Sequence, residues 1–176
     1  MKKSNLLILI LLMVSGSAFG QNKSFSQLEF LLGKWSGTGT GFGNETSVIK
    51  SEFKSIMNGH YIEVVNESKF KPTEKKPDGE RHIDKGIISF DKSRQAIVYR
   101  QFNIEGYVNQ YILNNSLSSD TELVFETEII ENFMPGGKAR YTIVKHSNNQ
   151  LETIFDVSLP GKEYACFGKN ILTKIK

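Results

Sequence analysis

The chain has 176 residues, a formal net charge of +3, 39% hydrophobic and 23% charged residues, and one cysteine. A lone cysteine excludes an intramolecular disulfide, so packing has to carry the stability. The near-balanced charge gives no footing for nucleic-acid binding, and the length beyond the first twenty residues fits one domain.

The N-terminus opens with Met1-Lys2-Lys3, continues through an apolar stretch from Leu6 to Val14 and ends in Ala18-Phe19-Gly20. A basic start, an apolar core too short to span a bilayer and a small-x-small exit predict a secretory signal peptide over 1–20. The expected product is a secreted or periplasmic domain over 21–176, with no later apolar run long enough to cross a membrane. Loss of Lys2 and Lys3 takes the formal charge from +3 to about +1.

Apolar residues at 25, 28, 31 and 32 before Gly33 predict one or two helical turns. The next segment, Gly33-Lys34-Trp35-Ser36-Gly37-Thr38-Gly39-Thr40-Gly41-Phe42-Gly43, holds the only tryptophan and then a glycine at every second position. Side chains alternate across a strand, so these glycines share one bare face. Glycine inside a strand costs roughly 0.5–1 kcal/mol relative to alanine, which points to a bend, a close backbone approach or a ligand there. The nucleotide-binding patterns G-x-G-x-x-G and G-K-[ST] are both missing from the run.

From here period-two or short apolar runs recur at 34–43, 46–57, 60–71, 82–90, 95–102, 107–113, 122–132, 138–147, 150–157 and 162–173. Asn58-Gly59 and Asn148-Asn149 read as two-residue hairpin turns, and Asp91 to Arg94, Asn103 to Gly106, Pro135 to Gly137 and Pro160-Gly161 as further turns. Only Lys71 to Arg81 reads as a long solvated loop. About ten sequential strands joined by tight turns are antiparallel, and they expose fewest edges as a closed up-and-down barrel. The fold class is therefore all-β, an antiparallel barrel of about ten strands with a short N-terminal helix; a two-sheet sandwich is the alternative. Barrels wider than about eight strands begin to enclose space, so a cavity is expected. Its lining depends on register: strand 95–102 offers either Ala96, Val98, Arg100 and Phe102 or Gln95, Ile97, Tyr99 and Gln101.

These segments bear a likeness to a known group. The helix from Phe25 to Leu32 running into Leu32-Gly33-Lys34-Trp35-Ser36-Gly37-Thr38-Gly39, with the later His82-Ile83-Asp84-Lys85-Gly86 in place of an H-x-E-x-G segment, resembles nitrobindin, the haem-binding β-barrel family of the calycin and lipocalin-like superfamily. The resemblance implies a calycin-type barrel and haem as a cofactor, held by a histidine near the C-terminal strands. Here Tyr164 to Leu172 contains no histidine. Cys166 offers a thiolate instead, although between Ala165 and Phe167 it reads more simply as a small buried hydrophobe.

His60, His82 and His146 have no second ligand at metal-like spacing, so no metal site is expected. His60 and His146 sit beside turns and read as solvated. His82 and Asp84 share a strand face, so the pair suits acid–base chemistry, ligand binding or a polar barrel rim. There is no G-x-S-x-G elbow, and Glu126 and Glu128 read as the solvent face of a strand. The leading expectation is an exported barrel that binds a small apolar or amphipathic molecule, with Trp35, Gly39, Gly41, His82, Tyr99, Arg100 and Tyr111 as candidate contacts. The alternatives are a haem barrel with nitric oxide or redox chemistry, and an isomerase or hydrolase using His82 and Asp84.

Overall fold

The computed structural model describes residues 23–41 and 45–175; the expected signal peptide, and Phe42 and Gly43 of the glycine run, lie outside them. The described chain starts with a 3-10 helix, Lys23–Leu31. Its buried residues Phe25, Leu28 and Leu31 recur every third position, which matches the three residues per turn of this helix and puts all three on one line.

Ten strands follow: β1 Gly33–Thr40, β2 Thr46–Ile56, β3 Tyr61–Phe70, β4 Glu80–Asp91, β5 Ala96–Phe102, β6 Val108–Leu113, β7 Glu122–Glu131, β8 Lys138–Ser147, β9 Gln150–Ser158 and β10 Ala165–Ile175. Each pairs antiparallel with the next, and β1 also pairs with β10, so the sheet closes into a barrel without a free edge. The expected barrel is thus found, and the sandwich alternative is excluded.

The turns differ from expectation in two places. Ile56 pairs with Tyr61, so the loop around Asn58-Gly59 has four residues; Met57, Asn58 and Gly59 all take positive φ there. A second long connection, 114–121, is organised by Asn114, whose side-chain oxygen accepts from the backbone N–H groups of Ser116 and Leu117. Asn148-Asn149 does form a two-residue turn between Ser147 and Gln150.

The bare glycine face points inward. Trp35 and Gly39 are buried on it, and a Cβ on Gly37 would run into the backbone carbonyl of Ile171 on β10. The glycine therefore allows β1 and β10 to close the barrel at short range. At this end the helix seals the interior: the Trp35 indole N–H donates to the Leu31 carbonyl at 2.7 Å, and Lys174 Nζ donates to the Phe30 carbonyl at 3.5 Å.

Above that seal the lower half of the barrel is filled. Phe53, Ile62, Ile88, Ile97, Leu113, Phe125, Ile143 and Leu172 belong to one packed core with the helix residues. Burial of each such side chain contributes roughly 1.5–3 kcal/mol.

Candidate functional site

The upper half of the barrel is hollow. A cavity of about 620 Å³ opens among the connections β1–β2, β3–β4, β5–β6, β7–β8 and β9–β10, with lining residues from Gly41 and Glu45 round to Leu159. Tyr107, Met134 and Leu159 line it and remain 38%, 46% and 40% exposed, so its rim carries apolar surface in water.

The inward faces of β3 to β6 change character from floor to mouth. On β3, buried Ile62 and Val64 give way to Asn66 and Ser68; on β4, Ile88 gives way to Asp84, His82 and Glu80. On β5 and β6, Tyr99 and Tyr111 lie below Gln101 and Asn109. The opposite wall stays apolar to the top, with Ile130 of β7, Ala139 of β8 and Phe155 and Val157 of β9. One wall thus offers hydrogen bonds and charge, and the other a hydrocarbon surface.

The His82-Ile83-Asp84-Lys85-Gly86 segment runs down the polar wall, its alternate residues about 6.6 Å apart. His82 stands near the mouth with Nε2 at 2.5 Å from a Glu80 carboxylate oxygen and Nδ1 at 2.5 Å from one of Glu105. Lys76 pairs with the other oxygen of Glu80. Asp84 lies deeper, and removal from water, reinforced by the nearby negative charge of Glu105, pushes its carboxyl up to about 6; His82 and the Ile104 N–H oppose that rise. Gly86 is the lowest of the three. A Cβ there would come within 2.5 Å of both the Tyr99 ring and the Arg100 carbonyl, so the missing side chain is what seats Tyr99 against β4.

Under Asp84 three tyrosines pack together. Tyr99 stacks on Tyr111 with ring centroids 5.6 Å apart, and Tyr141 is 6.0 Å from Tyr99. Burial raises all three phenols, Tyr141 to about 12, and the carboxylate of Asp84 adds to each rise. The Tyr111 hydroxyl donates to Gln101 at 3.2 Å and accepts from Asn109 at 3.0 Å. The Tyr99 hydroxyl has no partner among the described residues.

Of the residues expected to contact a ligand, Gly41 and His82 line the cavity. Gly39 lies behind the lining residues Asn170 and Ile49, where a Cβ would overlap the Asn170 side-chain oxygen. Tyr99 and Tyr111 sit on the inner face below the cavity, and Trp35 is 1% exposed at the helix-sealed end. Arg100 is on the other face from Gln101 and donates to Ser89 Oγ at 3.2 Å.

His82 and Asp84 share the cavity wall, but the groups on the imidazole are Glu80 and Glu105. Sequence reasoning missed both. The alternation Glu80-x-His82-x-Asp84 was the available signal for the first, whereas Glu105 falls in a turn with no such pattern.

Cys166 is exposed, not buried. A β-bulge between Cys166 and Gly168 shifts the register of β10 against β9, so that Phe167 lines the cavity while the Cys166 thiol contacts the Gly168 carbonyl. His146 is solvated on the outside, 2.9 Å from Glu152. The cavity does not supply a free histidine of the kind expected to hold a haem. Among the described lining residues His82 is the only histidine, and carboxylates take both its nitrogens.

Compared with known proteins, the chain has a counterpart in the crystal structure of Rv2717c from M. tuberculosis, with a TM-score of 0.64, 15% identity, and coverage of 87% of this chain and 98% of that one. The likeness is one of fold. A redesigned beta barrel also aligns, at a TM-score of 0.39 and 14% identity over 84% of this chain and 94% of its own. No family model and no curated protein matches the sequence. No described helix is long and apolar enough to cross a membrane.

Proposed function

We propose that this barrel binds a small amphipathic molecule in its upper cavity. The observation that carries the reading is the division of a 620 Å³ space into a polar wall on β3–β6 and an apolar wall on β7–β9. A ligand's hydrocarbon part lies against Ile130, Ala139, Phe155 and Val157, and its polar end meets Asp84, Gln101 and Asn109. Pockets of roughly 300–1,000 Å³ with mostly apolar walls and a few placed polar groups are the usual form of small-molecule sites. The filled lower half and the helix seal make it a cup, so ligand enters and leaves by the rim of Tyr107, Met134 and Leu159. We further propose that the domain works outside the cytoplasm, as the pattern of residues 1–20 suggests.

Titration with the neutral fluorophore N-phenyl-1-naphthylamine tests the reading. Saturable fluorescence enhancement at one site per chain supports it, and its loss in Ala139→Phe, a substitution that projects a ring from the apolar wall, locates the site. Absence of saturable binding to folded wild-type protein would overturn it.

A further inference from the structure

The charges lining the cavity are unbalanced in one direction. Glu45, Glu80, Asp84 and Glu105 face it, against Lys76 and His82. Lys76 is held by Glu80, and His82 lies between Glu80 and Glu105, so the basic groups already have acidic partners. Asp84 makes no ion pair among the described residues; its neighbours are the repelling carboxylate of Glu105, the His82 ring and the Ile104 N–H. A carboxylate withdrawn from water without a cation is unfavourable, and a ligand that brings the cation relieves that cost.

A second observation points to the same place. The Tyr99 hydroxyl is on a side chain 2% exposed, lacks a hydrogen-bond partner among the described residues, and lies within the electrostatic reach of Asp84 and Tyr141, which both line the cavity. Buried hydroxyls without partners are rare, because each forfeits a hydrogen bond it would make in water. Phe70, Tyr141 and Phe155 add aromatic surface around the same space, and aromatic faces attract cations. An anionic head finds the reverse: Asp84 and Glu105 repel it, and among the described lining residues none offers it an uncommitted guanidinium or ammonium.

We infer that the ligand is a protonated amine on an apolar chain or ring, with its ammonium against the Asp84 carboxylate, above the Tyr99 hydroxyl, and its hydrocarbon on the β7–β9 wall. The inference rests on the small-molecule reading above and adds the sign of the head group. The carboxylate accepts from ammonium N–H groups, and Glu105 adds attraction from the β5–β6 connection. Replacing the ammonium by a neutral hydroxyl keeps the hydrocarbon contacts and loses the ion pair.

The test is displacement of N-phenyl-1-naphthylamine at pH 7.5 by dodecylamine, 1-dodecanol and dodecanoate, each below its micellar concentration. The expected order is dodecylamine, dodecanol, dodecanoate, with dodecylamine ahead of dodecanol by at least about tenfold in half-displacing concentration, a factor equal to about 1.4 kcal/mol. Asp84→Asn should remove that advantage, read as the ratio of the dodecylamine and dodecanol half-displacing concentrations, and Glu105→Gln should reduce it by a smaller factor. Dodecanoate equal to or better than dodecylamine, or an undiminished advantage in folded Asp84→Asn, would overturn the inference and leave the cavity's role in place. Failure of the neutral fluorophore itself to bind would overturn both. The wild-type order decides the question even if Asp84→Asn does not fold.

Discussion

Tyr99 and Tyr111 stack across β5 and β6 at 5.6 Å with only 18° between their rings, yet their hydroxyls differ: that of Tyr111 is held by Gln101 and Asn109, and that of Tyr99 is not held by any described residue. Removal of one oxygen from each ring should therefore have unequal effects. Tyr111→Phe leaves the buried amides of Gln101 and Asn109 short of a partner and should destabilise the protein by about 1–2 kcal/mol. Tyr99→Phe removes a hydroxyl that bonds no described residue and should lie within about 0.5 kcal/mol of wild type. Urea unfolding of the two variants checks this, and equal losses would refute it.

The glycine run makes a positional prediction. A Cβ at Gly37 meets the backbone carbonyl of Ile171, which moves only if β1 and β10 separate; a Cβ at Gly41 meets the Phe70 ring at an ordinary 3.5 Å. Gly37→Ala should cost about 2–3 kcal/mol through this overpacking, whereas Gly41→Ala should be nearly neutral. Thermal unfolding of both variants decides it, and similar melting temperatures would count against close packing at the β1–β10 seam.

Strand positions were legible because alternation and turn residues are local properties, and each expected run overlaps one observed strand. The pairing of β1 with β10 has no local signature, since no turn joins them; only the alternating glycines after Trp35 hinted at a tight closure. Whether β5 turns Arg100 or Gln101 inward depended on register, which a strand with polar groups on both faces does not specify by itself. Cys166 was misjudged because a β-bulge changes which residues face inward without changing composition. The acidic surroundings of His82 come partly from Glu105, brought there by a connection 23 residues away in sequence.

The exposure of Cys166 is measurable directly. An aromatic disulfide reagent should modify the thiol in folded protein at a rate close to that in urea, since no unfolding step is needed to reach it. Strong protection in the native state would place the thiol inside the wall and would contradict the register shift between Cys166 and Gly168.

Asp84 makes the protein's stability depend on pH in a direction opposite to that of its surface carboxylates. Its carboxyl titrates near 6 in the folded barrel, against 3.8 when unperturbed, chiefly because it is removed from water. Between about pH 4 and 6 the unfolded chain has already lost this proton while the folded barrel still holds it. The folded state binds more protons there, so stability from this group falls as pH rises through that window and is level above it. A shift of this size corresponds to roughly 2–3 kcal/mol. Surface groups pull the other way: Glu67, held down to about 2 by Arg81 and Lys69, and Asp91, held low by Ser93 and Arg94, contribute stability that is lost on acidification. The Asp84 effect is isolated by subtracting the profile of Asp84→Asn from that of wild type, measured by urea unfolding at intervals from pH 4 to 8. The variant should gain on wild type from pH 4 to 6 and hold a constant advantage above. Of the groups around Asp84, His82 on β4 and Glu105 beyond β5 are the ones whose charge can move that window, whereas Tyr99, Tyr111 and Tyr141 on β5, β6 and β8 stay uncharged throughout it. A flat difference profile, or one that falls toward acid, would show that the carboxyl is solvated and not the counter-ion in waiting inferred above.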